Sequence, residues 1–149
     1  MTISWFGQSC FRIEAKEGSI LTDPFSKDIG LKPPKIKDDL VLVSHNHYDH
    51  NNIEGAGPEA FIIKNPGEYE KNGIAVLGIH SYHDKSEGKE RGSNTIYVIK
   101  AEDMTVCHLG DLGQEKLDEK QVEEIGDVDI LMLPVGGSYT INYKEALEV

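Results

Sequence analysis

The chain has 149 residues, a size that suits one domain and buries about two-thirds of the surface an unfolded chain exposes. Hydrophobic residues make up 38% and charged residues 28%, with 15 Gly in no period and only 6 Pro, which excludes collagen-like, mucin-like and disordered classes. The net charge is −11 and no basic stripe exists, so neither nucleic acid nor an anionic membrane is an expected partner.

The first half reads as short strands. Ile3–Phe6, Cys10–Glu14 and Ser19–Thr22 are β-branched, aromatic and apolar runs broken at Gly7 and Gly18, which suggests hairpins. The run from Asp38 to Ser44 is continuously apolar at its centre, as in a strand buried on both faces. Ala60–Lys64 and Ile74–Ile79 are further strand candidates, separated by Pro66-Gly67. A polar loop from His83 to Asn94 follows, then a strand pair, Thr95–Ile99 and Met104–Leu109. Gln114–Ile125 carries apolar residues at 117, 122 and 125 among charges, which predicts a surface helix stopped by Gly126. Ile130–Leu133 is a strand ended by Pro134, and Ile141–Val149 predicts the start of another helix. Strands first and helices later point to an α/β (α+β) domain of layered sheets covered by helices, spanning residues 1–149.

Two cysteines, Cys10 and Cys107, make no disulfide framework, and both sit in apolar runs as small buried side chains. No apolar run reaches 18 residues, and the first residues lack a signal-peptide pattern. A reducing cytoplasm is the expected compartment.

The chemistry concentrates in Ser44-His45-Asn46-His47-Tyr48-Asp49-His50, an H-x-H-x-D-H pattern. The chain's own His and Asp content gives that pattern by chance about once in a thousand such sequences. It begins where the buried strand ends, a common place for functional groups. His45 and His47 leave a rigid strand on one loop and can turn toward one cation, while Asp49 and His50 can face a second. Imidazole and carboxylate donors suit Zn, Mn or Fe and need no thiolate. Two divalent cations would bring the net charge to about −7 and reverse the local field. Asp23 reads either as a turn residue before Pro24 or as a carboxylate holding a ligand histidine's other N–H. His108 is out of step with Leu109 and Asp111 along an extended strand and reads as structural or supporting. Gly67-Glu68-Tyr69 and Gly136-Gly137-Ser138-Tyr139-Thr140 are loops that could line a pocket.

Together with Trp5-Phe6-Gly7-Gln8-Ser9-Cys10-Phe11-Arg12-Ile13, Leu21-Thr22-Asp23-Pro24-Phe25 and His108-Leu109-Gly110-Asp111-Leu112-Gly113, the motif resembles the metallo-β-lactamase superfamily. The similarity runs from residue 3 to about 147 and is to the branch of lactonase-like metal-dependent hydrolases, which includes the ascorbate-phosphate lactonase type. The resemblance implies an αββα sandwich with two metals at one edge between the sheets. It implies His45 and His47 at the first metal, with a later histidine completing it. His80 and His83 compete for that place, and His83-Asp84 with Arg91-Gly92-Ser93-Asn94-Thr95 matches the branch better. It further implies Asp111 as a carboxylate bridging both metals, with Asp49 and His50 at the second. The family's last histidine lies beyond the helix expected near Ile141. The sequence reaches Val149 before it, so the resemblance implies a sandwich short of its last strand and helix, and a weaker second site.

The expected activity is hydrolysis of a small-molecule ester, lactone or phosphoester by a metal-activated water, with Asp49 orienting that water or shuttling its proton. A metal-binding domain without catalysis, or one that needs a partner chain, is the alternative. A nuclease of the same superfamily fits the acidic charge poorly. Apolar surface left by a short C-terminus would favour homo-oligomers.

Overall fold

The hairpin spacing at the N-terminus yields strands β1 (Thr2–Gly7), β2 (Cys10–Glu14) and β3 (Ser19–Thr22), each antiparallel to the one before. Strands β4 (Leu40–Leu42) and β5 (Phe61–Ile63) then add in parallel, giving a sheet in the order β1-β2-β3-β4-β5. A second sheet contains β6 (Gly67–Lys71), β7 (Ile74–Tyr82), β8 (Ser93–Ala101), β9 (Met104–His108) and β10 (Ile130–Met132). Its order is β10-β9-β8-β7-β6, antiparallel except for the β9–β10 pair. This computed structural model describes all 149 residues.

The two sheets close on one apolar layer. Ile13, Ile20, Leu40, Leu42 and Ile63 from the first meet Ile74, Val76, Tyr97, Ile99, Val106 and Met132 from the second. Strand β8 shows why its sequence is almost unbroken in apolar residues. Tyr97, Ile99 and Ala101 face the other sheet, while Ile96 and Val98 face outward into a second cluster with Leu109, Leu112 and Ile141. Burial on both faces removes the need for polar alternation.

One α-helix, α1 (Glu119–Ile125), covers that outer face. It is shorter than the twelve-residue helix expected from Gln114. Asp118 caps it, accepting from the Gln121 backbone N–H at 2.8 Å, and the Gln121 side chain reaches back to the Asp118 N–H at 3.0 Å. This capping box sets the start. The helix buries Gln121 and leaves Val122 exposed, against the apolar spacing. Over the first sheet the outer layer is loop, with a 3₁₀ turn at Lys27–Ile29, and Phe25, Ile29 and Ile36 close the face around Leu21.

Two further expectations are corrected. Gly67-Glu68-Tyr69, read as loop, lies in edge strand β6 (Gly67–Lys71), paired along its length with β7. Its Glu68 and Glu70 face water, and charges of that kind disguise an edge strand while protecting it. Ile141–Val149 forms only a 3₁₀ turn at Glu145–Leu147, because Ile141 alone is buried there and Asn142 Oδ1 accepts the N–H groups of Lys144 and Glu145.

Candidate metal centre

Strands β3, β4, β7 and β9 end at the same edge of the sandwich, and each delivers functional groups in the next few residues. Asp23 follows β3, His45 to His50 follow β4, His83 follows β7 and Asp111 follows β9. The edge is fastened across the two sheets. The Thr95 N–H donates to the Ser44 carbonyl at 2.8 Å, and the Tyr97 hydroxyl donates to the Val43 carbonyl at 2.8 Å.

Two overlapping groups of donors form there. His45, His47 and His83 make one, and His45, His50 and Asp111 make the other, with one ligand atom from each residue lying within 4.8 Å of the rest of its group. His45 and His83 have ring centroids 4.6 Å apart, and His45 and His50 4.2 Å. Asp111 Oδ2 lies 3.3 Å from His50 Nε2 and 3.5 Å from His83 Nε2, between the two groups. Asp49 falls outside both, its carboxylate 3.7 Å from His50 Nε2 and open to the adjoining cleft. His80 stands apart on the exposed side of β7, where its ring nitrogen meets Ser93 Oγ at 3.1 Å.

The cluster could hold a metal ion, and burial and charge act on its members in opposite directions. Burial pushes the His45 imidazole down to about 3, reinforced by His50. Burial also lowers His83, despite the pull of Asp111. His50 is the opposite case: burial disfavours its charge, but Asp111 and Asp23 outweigh that and raise it to about 10. Asp111 is held below the usual carboxylate range, against its burial, by His50. His45 Nε2 and His83 Nδ1 are buried with no hydrogen-bond partner. Buried nitrogens in that state cost free energy unless something fills them. Neutral imidazoles with free lone pairs beside a carboxylate are a donor set for Zn, Mn or Fe. Both thiols are buried and raised to about 12, so sulfur is not among the donors.

Beneath the donors lies Asp23. It is fully buried, sits at φ +41°, and accepts from the Ser44 N–H at 2.7 Å and the Ser44 hydroxyl at 2.8 Å. His108 Nε2 is 3.1 Å and His50 Nδ1 3.2 Å from its Oδ2, the latter off the angle of a full hydrogen bond. Both readings of Asp23 thus meet in one residue, a turn residue that also carries histidines. His108 touches no ligand group and packs edge-on against Phe11.

Three supporting residues lie within the segments that carry the resemblance but have no role assigned there, because a lone hydroxyl or amide has no diagnostic spacing. Ser9 Oγ donates to Asp111 Oδ1 at 3.0 Å, and Ser44 Oγ lies 2.9 Å from His45 Nδ1. Asn94 Oδ1 accepts the Asp111 N–H at 3.0 Å, while its amide donates to the Leu109 carbonyl and Ser81 hydroxyl. Two glycines make room. A Cβ at Gly110 (φ +57°) would fall 2.5 Å from Asn94 Oδ1 and 2.6 Å from Ser44 Cβ, and one at Gly113 would overlap the His83 backbone. Asp84 orders the loop beyond His83 by accepting the N–H groups of Ser86, Gly88, Glu90 and Arg91.

Comparisons with known proteins bear on the family and the fold. The family model described as a beta-lactamase superfamily domain matches residues 2–149. A UPF0173 metal-dependent hydrolase of Pyrococcus horikoshii is 31% identical over 97% of this chain and 76% of its own length. A counterpart from Thermoplasma acidophilum is 28% identical over 99% of this chain and 76% of its own. Among solved structures, a protein described as a Zn-dependent hydrolase of the metallo-beta-lactamase superfamily from Thermotoga maritima superposes with TM-score 0.81 and 41% identity, covering 99% of this chain and 68% of that one. A Parabacteroides distasonis structure shares the fold at TM-score 0.76 and 18% identity, over 97% of this chain and 74% of that one. With the family model spanning the chain and its sandwich matched by the Thermotoga structure, the protein belongs to the metallo-β-lactamase superfamily, among relatives named metal-dependent hydrolases.

Proposed function

We propose that the chain is a metal-dependent hydrolase of a small ester, lactone or phosphoester, using two divalent cations of which zinc suits the donors best. The observation that carries this reading is the pair of overlapping donor groups that share His45, one of them including Asp111, at an edge that opens into a cleft. His45, His47 and His83 would hold the first cation. His50 and Asp111 would hold the second, with Asp49 within reach at the rim. Divalent cations there supply Lewis acidity toward a water and toward the substrate oxygen.

The chain's own groups do the rest. Asp49, partly exposed to the cleft, accepts the proton of the attacking water. The water oxygen bonds to the electrophilic carbon or phosphorus, the bond to the leaving oxygen breaks, and the proton passes to that oxygen. Ser9 fixes the Asp111 carboxylate from one side, and Asn94 fixes its backbone from another. Asp23 keeps His50 turned toward Asp111.

The test is elemental analysis of protein purified without added metal or chelator, followed by an ester, lactone and phosphoester panel. About two equivalents of metal and turnover of at least one substrate are expected, with His47→Ala and Asp111→Asn abolishing it. Full activity in either variant would overturn the reading. Bound metal with no turnover across the panel would favour a metal-binding domain without catalysis.

A further inference from the structure

Beside Asp49 and Asp111 opens a cleft of about 620 Å³, and its walls speak to what enters it. One wall is a ladder of rings leading outward from the donors. His108 packs edge-on against Phe11 at 5.9 Å, and Phe11 stacks on Trp5 at 6.3 Å with 22° between the planes. The Trp5 indole N–H donates to the Gln8 carbonyl at 2.8 Å, which fixes the ring although 68% of the residue is exposed. Met132, Pro134, Val135 and Tyr139 also line the cleft. Val135 and Tyr139 are 57% and 64% exposed, so apolar surface beyond Trp5 is left open along the lining. Apolar area of this kind next to a reactive centre marks a ligand-binding groove.

No lysine or arginine lines the cleft, and its only formal charges are Asp49 and Asp111 at the donor end. Lys85 and Arg91 line a separate, smaller cleft that shares Tyr139. Each is engaged, Lys85 by Glu145 and Arg91 over the Tyr139 ring at 4.2 Å. An anionic group far from the metals would therefore meet aromatic faces, with the nearest cation, Arg91, already seated over the Tyr139 ring, whereas an uncharged ring would stack on Trp5.

We propose that this cleft binds a neutral ester or lactone whose acyl or alcohol part carries an uncharged, ring-sized apolar group, with Trp5 and Tyr139 as its specificity residues. Phosphorylated and carboxylated substrates are selected against. The inference rests on the hydrolase reading for the reacting bond, but not for the binding of the apolar group.

The experiment pairs kinetics with a binding signal that needs no turnover. Trp5 is the chain's single tryptophan, so its fluorescence reports on this wall alone. The metal-loaded protein is assayed with three methyl esters that share one leaving group, that of 3-phenylpropanoic acid (the phenyl ester), its 4-carboxyphenyl analogue and methyl propanoate. Separately, it is titrated with the phenyl ketone of the same shape, which cannot be hydrolysed. Expected are a kcat/KM for the phenyl ester about tenfold above that for either other ester, and a saturable change in Trp5 fluorescence with the ketone. Trp5→Ala and Tyr139→Ala should each shrink the phenyl preference severalfold, through KM. A carboxyphenyl ester hydrolysed as well as the phenyl ester overturns the inference, as does a flat fluorescence titration, even if all three esters turn over. No turnover of any ester with a saturable ketone signal removes the hydrolase reading and leaves the apolar cleft standing.

Discussion

The donors crowd so closely that the residues around them have little freedom, and the glycines show this most directly. Gly113 passes against the His83 backbone with no space for a Cβ. Gly113→Ala should push His83 off the first group and weaken metal binding about 10- to 100-fold, measured by chelator competition at fixed zinc. A variant that retains parental affinity would show that His83 is not held from that side. Asp23 acts by orientation. Its carboxylate takes two bonds from Ser44 and faces His50 and His108, so Asp23→Asn places an amide where those nitrogens need an acceptor. The expected outcome is a loss of the second metal equivalent by about 10- to 100-fold in affinity with the first retained, read by zinc titration. Equal loss at both sites would mean that Asp23 supports the edge as a whole.

At the scale of elements, the site depends on how strand ends are tied. Tyr97, buried in the middle of β8, spans the sandwich to the Val43 carbonyl just before the histidine motif. Tyr97→Phe keeps the ring and removes that bond, and should cost about 1–3 kcal/mol in urea unfolding, since the carbonyl is left buried and unpartnered. Helix α1 lies on the outer face away from the donors. Asp118→Ala removes its cap and should lower stability by about 1 kcal/mol without changing bound metal, by urea unfolding and elemental analysis together. The helix also shows where sequence patterns mislead. Its apolar spacing pointed to Val122, yet the buried residue is Gln121, whose amide donates to the His80 carbonyl at 2.8 Å. A side chain that can satisfy its own hydrogen bonds can be buried without an apolar signature.

Over the whole molecule, the buried imidazoles and the carboxylates between the sheets make the metal-free edge costly. A ligand that binds only the folded state stabilises it by mass action, so stripping metal with a chelator should lower Tm, and zinc added back should restore it. The edge joins segments far apart in sequence, from Ser9 through the 45–50 loop to Asp111, so its loss should loosen both sheets together rather than one loop. A Tm unchanged by chelation, in protein shown to have lost its metal, would mean that the sandwich alone sets stability. No helix is long and apolar enough to cross a membrane.

By itself the sequence determined the strand-rich layered class, the positions of most strands and the histidine motif at a strand end. Those features are local: hydrophobic period, turn residues and donor spacing can be read within a few residues of one another. It did not determine β6, whose glutamates are explained only by an edge position, nor the short α1, whose start depends on one capping box. The choice between His80 and His83 was equally a tertiary matter. His80 lies in β7 and His83 just past its end, three residues on, and they differ in which side of the chain meets the β4 loop. The roles of Ser9, Ser44 and Asn94 became visible only when the two sheets closed, because their chemistry lies in what they touch. The apolar cleft is of the same kind, assembled from residues 5, 11 and 132–139, whose proximity no spacing rule could announce.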